Sequence, residues 1–392
     1  PKSPAHDVNS MELCDKCHHE TVMAMRMGVH QHAGEEKLKD GRNAVMPCST
    51  CHGESIHGVL KADDSRSPVF LDNQVDLCGG CHEEDLKTYQ ESVHGKGLYE
   101  SGLAVTASCA SCHGAHGIFY ANNLLSTLHT TNVASTCGKC HRFIEQRLQA
   151  SVHGQANGVG HDADRAAPGG KRKKTPSCTS CHQGHDLPDP KSAEFRLQLP
   201  NRCGNCHVDL SSQYAMSLHG QLTDLGYGPG AKCSDCHGAH DILAVDDPNS
   251  SLAGENRVRT CRKCHPYAVE NFAGFHPHAD HADAENNPLL HHVHLFMEIL
   301  LYSVFGCFGL HTALWFLRSL VHTLKHGRPK RLVPGEKAYL RFQPIHRILH
   351  VVMVVSFLGL ALTGLPLKYS GHHWAKLVAR GLGGFDSTSV LH

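Results

Sequence analysis

The chain has 392 residues, enough for two or three folded units, and carries 37 basic, 37 acidic and 36 histidine side chains. Its formal net charge is zero, so no excess of positive charge points to a nucleic acid as partner. Only 6% of residues are aromatic, while glycine and proline number 37 and 18, which argues against a large conventional apolar core.

Nine Cys-x-x-Cys-His motifs occupy the first 265 residues and include every cysteine but one. The spacing lets two cysteines form thioether bonds to a haem while the adjacent histidine reaches its iron. One such motif also occurs in zinc sites or redox dithiols, but nine of them indicate nine c-type haems. The predicted thioether cysteines are Cys14, Cys17, Cys48, Cys51, Cys78, Cys81, Cys109, Cys112, Cys137, Cys140, Cys178, Cys181, Cys203, Cys206, Cys233, Cys236, Cys261 and Cys264. The predicted proximal ligands are His18, His52, His82, His113, His141, His182, His207, His237 and His265.

A second histidine accompanies each motif and is the natural ligand for the other axial position of an iron. It follows by twelve residues in the first motif of a pair, as from His82 to His94, and by three in most second motifs, as from His113 to His116. The predicted distal ligands are His30, His57, His94, His116, His153, His185, His219, His240 and His276, with His278 and His281 as alternatives to the last. A histidine three residues after a proximal ligand more readily binds a neighbouring haem. Which companion binds which haem stays open.

The motifs are grouped in four pairs and a single copy, which indicates duplicated units. The predicted repeats are 14–57, 78–116, 137–185 and 203–240, followed by the single motif 261–278, within a domain of residues 1–281. We expect a mostly α fold with short helices and extensive loops packed around the haems. Haem is attached to such motifs on the outer face of the bacterial cytoplasmic membrane, so this domain should be periplasmic. Haem propionates would make it acidic, which again argues against nucleic acid.

The character of the chain changes after residue 288. Apolar segments at 289–324 and 344–367 are long enough to cross a bilayer. The segment 325–343 between them is rich in Lys and Arg, which marks it as a cytoplasmic loop and places both outer ends in the periplasm. Residues 368–392 should form a periplasmic loop and the start of a further helix. The predicted location is therefore the bacterial inner membrane.

The second apolar segment contains residues that resemble a known family. The matching residues are Arg341-Phe342, His346-Arg347, Leu349-His350 and Leu362-Thr363-Gly364, followed by Val390-Leu391-His392. They resemble the first two helices of the dihaem cytochrome b subunits of formate dehydrogenases and nickel-iron hydrogenases. The resemblance implies a cytochrome b-like helical bundle with two haem b groups, ligated by His350 and His392. It also implies that residues beyond 392 complete both sites.

Nine c-type motifs joined to such a membrane module resemble the fused multihaem c-type and dihaem b-type (Cbc-type) quinol dehydrogenases of metal-reducing bacteria. The resemblance implies that menaquinol is oxidised and that electrons pass through b haems to the c haems and on to periplasmic c-type cytochromes. Two alternatives remain. The chain could be an electron wire within a larger respiratory complex, without its own quinol site and possibly feeding the quinone pool. A multihaem reductase is disfavoured, because every motif has a companion histidine.

Overall fold

The computed structural model describes residues 10–32, 48–53, 58–155, 176–327 and 342–392. Across these ranges the chain is mostly helical and contains no strand, which confirms the predicted α class. Packing around haems stays a prediction. The chain divides into two compact units, one of Pro1–Cys203 with Cys233–Ala273 and one of Gly204–Lys232 with Gly274–His392. Each is described by itself below.

Short helices dominate the first unit. They are α1 Ser10–Asp15, α2 His19–Met27, α3 Val29–His32, α4 Cys48–His52, α5 Gln74–Gly79, α6 Glu83–Glu91, α7 Val93–Tyr99, α8 Cys109–His113, α9 Val133–Gly138, α10 Arg142–Ala150, α11 Val152–Gln155, α12 Cys178–Cys181, α13 Ala193–Gly204, α16 Cys233–His237, α17 Gly254–Arg262 and α18 Glu270–Ala273. The second unit contains α14 Val208–Met216, α15 Leu218–Asp224, α19 Pro288–His326, α20 Pro344–Lys368, α21 His373–Gly381 and α22 Gly384–Leu391.

The helices that follow the first motif of each pair recur in the same order, while the cytochrome repeat itself stays a prediction. The histidine of a first motif, such as His82, leaves helical geometry with φ −104° and ψ 58°, and a nine-residue helix such as α6 follows. A serine such as Ser92, with φ −73° and ψ 164°, then turns the chain into a short helix that carries the companion histidine. The twelve-residue offset is therefore the length of one helix and one turn. Second motifs instead form a single helical turn by themselves, as in α8.

The apolar core of the first unit is thin. Its buried apolar side chains include Val75 and Val133, both fully buried, and Phe195, whose exposed fraction is 5%. Large apolar side chains such as Tyr120 and Val105 remain exposed, at 74% and 86%. Folding is driven mainly by burial of apolar surface, and this unit buries little of its own.

Two helices of the second unit are long and apolar enough to cross a membrane, α19 with 39 residues and α20 with 25. They coincide with the predicted segments, and each begins with a proline, Pro288 or Pro344, which suits the first helical turn. Gly327, with φ 75°, ends α19 in the left-handed conformation that glycine favours. At about 1.5 Å per residue, α19 exceeds the thickness of a bilayer core. Which end faces the periplasm stays a prediction.

The chain after α20 forms two short helices that pack on its end. Ala375 and Ala379 of α21 are buried with exposed fractions of 0% and 1%, so their small side chains allow a close approach. The predicted start of a further helix corresponds to α22, which ends at Leu391. This hairpin brings His392 back to the side of α20.

Candidate haem sites

Five predicted distal histidines lie opposite predicted proximal histidines in the first unit. Their ring centroids are 5.8 to 6.3 Å apart. The pairs are His30 with His82 at 6.3 Å, His52 with His116 at 6.0 Å, His94 with His141 at 6.2 Å, His113 with His185 at 5.8 Å and His182 with His240 at 6.0 Å. Ten predicted axial ligands are thus brought together two by two.

The spacing of these pairs fits an iron with two imidazole ligands. An imidazole nitrogen lies about 2 Å from a bound metal ion and about 1 Å from its ring centre, so two axial imidazoles of one iron have centroids about 6 Å apart. Direct contact between imidazoles is closer, as the 3.9 Å between His281 and His294 shows. The histidine pairs therefore suit a haem, which takes two ligands from the protein.

Each pair joins histidines that belong to motifs two places apart in the chain. His30 and His94 follow the first and third motifs and face the histidines of the third and fifth. His116, His185 and His240 follow the fourth, sixth and eighth motifs and face the histidines of the second, fourth and sixth. Each of these five companions therefore faces a motif other than its own. Companions of odd-numbered motifs face a later motif in the chain, and companions of even-numbered motifs face an earlier one.

Every ligand assignment stays a prediction. The assignments outside the five pairs described above concern the motif histidines His18, His207, His237 and His265 and the companions His153, His219 and His276. His57 lies outside the described residues.

A serine and a glycine fix the companion histidines of the first motifs. The Ser92 hydroxyl donates to the Tyr89 carbonyl at 2.6 Å and accepts from the Gly95 backbone N–H at 3.0 Å, which caps α7 around His94. A Cβ on Gly95 would lie 2.0 Å from the Tyr89 carbonyl oxygen, so only glycine allows this approach. Two further Ser-x-His-Gly segments repeat both contacts, at Ser151 with Gly154 and at Ser217 with Gly220.

A backbone hydrogen bond ties companion histidines of neighbouring haem sites together. The Val93 N–H donates to the Leu187 carbonyl at 2.9 Å, which places His94 beside the segment of His185. The same bond joins Val29 to Ile118 at 2.8 Å. A third joins Val152 to Ile242 at 2.8 Å, next to His240. Sequence reasoning missed these residues, since any residue other than proline supplies an N–H and only the apolar position before the companion histidine recurs.

An asparagine five residues before a motif organises the turn that leads into it. The Asn132 amide donates to the carbonyls of Leu124 and Ser126, both at 2.8 Å, ahead of the motif at Cys137. Asn73 and Asn256 make equivalent pairs of bonds before the third and ninth motifs. An asparagine lies five residues before each of these three motifs. This regular position is a sequence signal for the structural role, which the spacing of the cysteines alone does not show.

Burial favours the neutral form of several of these imidazoles. Removal from water is the largest cause that lowers their pKa, and in most of them the facing imidazole adds to it. The affected histidines are His30, His94, His113, His116, His182 and His240. A neutral imidazole retains the nitrogen lone pair that a metal ligand needs.

The cysteines of consecutive motifs adjoin one another. The thiol of Cys78 shares a hydrogen bond with that of Cys109, the first cysteine of its partner motif. The first cysteines of the other pairs do the same: Cys14 with Cys48, Cys137 with Cys178, and Cys203 with Cys233. Between pairs, Cys51 lies near Cys78 and Cys81, and Cys112 near Cys137 and Cys140. The first six motifs thus follow one another in space as they do in sequence.

In the second unit, His392 is held against α20 by residues of the Leu-Thr-Gly motif. The Thr363 hydroxyl lies 2.8 Å from His392 Nδ1 and 2.8 Å from the Gly359 carbonyl. Because the carbonyl can only accept, the hydroxyl donates to it and accepts from Nδ1–H, which leaves Nε2 as the lone-pair nitrogen. A Cβ on Gly364 would lie 3.1 Å from the His392 ring, so glycine makes room for it.

The other predicted haem b ligand, His350, lies near the start of α20, the helix that also carries Thr363. It is exposed in the second unit, as are most side chains of α20. Thirteen residues separate it from Thr363, which is about 20 Å along a helix. Two sites at these positions would lie near opposite faces of a bilayer core about 30 Å thick. The role of His350 stays a prediction.

No protein-family model, curated protein or solved structure matches the chain. Across the described ranges, no group of three or more His, Cys, Asp or Glu side chains is arranged to hold a metal ion. A haem requires only two axial ligands from the protein, because the porphyrin supplies the other four. The arrangement of the first unit is therefore one of histidine pairs and not of metal clusters.

Proposed function

We propose that the chain is a membrane-anchored multihaem electron-transfer protein that oxidises menaquinol and passes electrons through c-type haems to periplasmic acceptors. The observation that carries the proposal is the set of five histidine pairs, each joining a motif histidine to a predicted companion at about 6 Å. Nine haem c and two haem b groups are the proposed cofactors. Its activity would be that of a quinol:cytochrome c oxidoreductase.

The haems supply reversible one-electron carriers when bound, while this chain holds, spaces and insulates them. The motif cysteines of consecutive repeats adjoin, which supports a row of carriers. The five irons at the histidine pairs would have no axial position left for a substrate, which supports electron carriers at these five sites.

The membrane part supports a link to the quinone pool. Two helices are long and apolar enough to span a bilayer. The Thr363 hydroxyl contacts Nδ1 of His392, and metal-binding histidines usually have such a hydrogen-bond partner on the ring nitrogen that does not bind the metal. We propose that His350 and His392 each ligate one haem b. The c-type domain would lie on the periplasmic side of the inner membrane, with the Lys- and Arg-rich segment 325–343 in the cytoplasm.

The experiment is rapid mixing of the complete, oxidised protein in detergent with a menaquinol analogue, followed by absorption spectroscopy. We expect reduction of b-type bands followed by c-type bands. A His350→Ala variant should lose one haem b and the quinol-driven reduction of c haems, while dithionite still reduces those haems. If quinol reduces nothing in the unaltered protein and dithionite reduces every haem, the chain is a wire without its own quinol site.

A further inference from the structure

One segment of the cytochrome c part of the sequence packs against α20. Gly204–Lys232 lies within the cytochrome c part of the sequence, yet it forms one compact unit with Gly274–His392. It carries His207, the predicted proximal ligand of the seventh haem, and His219, a predicted distal ligand. The segment therefore places predicted c-type ligands in the same unit as the predicted haem b ligand His392.

A polar contact fixes the segment at the end of α20. The helix α15, which begins one residue before His219, packs against α20. At its other end, the Asp224 carboxylate accepts a hydrogen bond from the Ser370 hydroxyl and faces the Lys376 ammonium of α21. Burial raises the pKa of Asp224 although both partners oppose the rise. The carboxylate is therefore drawn out of water at this contact.

An aromatic contact lies beside the polar one. The rings of Tyr227 and Phe385 have centroids 5.0 Å apart at an angle of 59°, within the range of favourable edge-to-face pairs. The buried Lys232 ammonium donates to the carbonyls of Gly228 and Gly230, so the loop that presents Tyr227 is held from within. A lysine in this position would otherwise face solvent.

Both contacts lie close to the predicted haem b ligand. Ser370 follows Thr363, the partner of His392, by seven residues, or about 10 Å along a helix. Phe385 precedes His392 by seven residues, most of them in α22, which is again about 10 Å. The docked segment is therefore anchored about two helical turns from the His392 imidazole on two independent elements.

We propose that Gly204–Lys232 is the docking element that holds the predicted haem c ligands His207 and His219 near the haem b site of His392, so that electrons cross from b-type to c-type haem at this junction. The inference rests on the proposed function. One electron would cross at a time, from a ferrous haem iron held by His392 to a ferric haem iron held by the docked segment, and no proton would move in this step. Menaquinol would be the reductant, because its oxidation to menaquinone releases two protons and supplies two electrons one after the other.

The test uses the full chain in detergent and a double variant, Asp224→Asn with Tyr227→Leu. Its matched control is Tyr120→Leu, an exposed tyrosine of the first unit. Hydrogen–deuterium exchange reports docking directly, because loss of the contacts should speed exchange of α21 and α22 amides in the double variant and leave them unchanged in the control. Stopped-flow mixing with a menaquinol analogue then follows b-type and c-type bands separately.

We expect the double variant to reduce b haems at the rate of the unaltered protein and c haems at least about tenfold more slowly, a change equal to ~1.4 kcal/mol in barrier. The charge exchange Asp224→Lys with Lys376→Asp keeps opposite charges at this contact. We expect it to reduce c haems faster than the double variant does. Unchanged amide exchange would overturn the docking contacts. Faster amide exchange with an unaltered rate of c-haem reduction would overturn the proposal that electrons cross from b-type to c-type haem at this contact. Absence of b-haem reduction in the unaltered protein would instead refute the proposed function, while the exchange result still stands.

Discussion

The imidazoles of His94 and His141 face each other with centroids 6.2 Å apart, although one follows the third motif and the other belongs to the fifth. A haem held between them would be attached in one repeat and ligated from another. Every such haem would cross-link two repeats of a unit whose own apolar core is thin. Haem attachment and folding of this unit should therefore be coupled, as metal binding and folding are in small metalloproteins.

Replacement of His94 by Ala should remove one axial ligand from the iron of the haem attached at Cys137 and Cys140. The haem of the motif at Cys78, which precedes His94 in the chain, should keep both of its ligands. One haem of the predicted nine should become high-spin without loss of covalent haem, because the iron loses one imidazole. Electron paramagnetic resonance of the oxidised protein measures this directly.

The origin of that signal is testable in a background that lacks the haem at Cys137 and Cys140, made by replacing both cysteines with Ala. There, His94→Ala should add no high-spin haem. A high-spin signal that persists in this background would contradict the pairing of His94 with His141. The half-buried His129, which bonds to Thr131, provides the matched control, since His129→Ala should leave all haems low-spin.

Gly95→Ala should destabilise the first unit, because its Cβ would lie 2.0 Å from the Tyr89 carbonyl oxygen and the two backbones would have to separate. We expect the free energy of unfolding to fall by about 1–3 kcal/mol, the usual range of overpacking substitutions. Gly184 also neighbours a companion histidine, but its Cβ position has no atom within 4 Å. Gly184→Ala should change stability by less than about 0.5 kcal/mol. Equal effects in denaturant titrations would show that the close approach is unimportant.

Asn132→Ala should loosen the turn before the fifth motif. The side chain donates two hydrogen bonds of 2.8 Å to backbone carbonyls, each worth about 1 kcal/mol, so unfolding should become easier by about 2 kcal/mol. Asn123→Ala removes a single exposed bond to the Leu125 N–H and should cost about 0.5 kcal/mol. Thermal unfolding of the haem-loaded variants compares the two, and a ranking in the opposite order would refute the role of Asn132.

Thr363→Val should weaken binding at the His392 site, because valine keeps the shape but loses the hydroxyl that orients Nδ1. Outer partners of metal-binding histidines contribute about 10- to 100-fold to affinity, so the haem b content of purified protein should drop. Thr363→Ser retains the hydroxyl and should retain the haem. Normal haem b content in the valine variant would argue against His392 as an oriented ligand.

Much of the architecture was predictable because it is encoded locally. The lengths of α19 and α20 follow from uninterrupted apolar runs, and the twelve-residue offset from His82 to His94 follows from one helix and one turn. The Leu-Thr-Gly motif and His392 were predicted separately, from a family resemblance. In the structure, Thr363 of the Leu-Thr-Gly motif contacts His392, so a single hydrogen bond accounts for the presence of both features.

The pairing of ligands was not predictable, because it depends on which repeats cross in space. His116 lies three residues from His113 but faces His52. The crossing is set by backbone bonds, such as that from Val29 to Ile118, in which side-chain identity has little part. The packing of Asp224 on the end of α20 likewise joins distant parts of the chain through contacts that no spacing rule contains.

We infer above all that this chain binds haem at its paired histidines. A pyridine haemochrome spectrum of the purified full chain, with haem quantified against protein, measures this binding. We expect c-type bands equivalent to nine haems per chain, retained after acid–acetone extraction because thioether bonds hold them. A chain that carries no covalent haem when produced with a haem-attachment system, or that binds zinc at its cysteines instead, would contradict this inference.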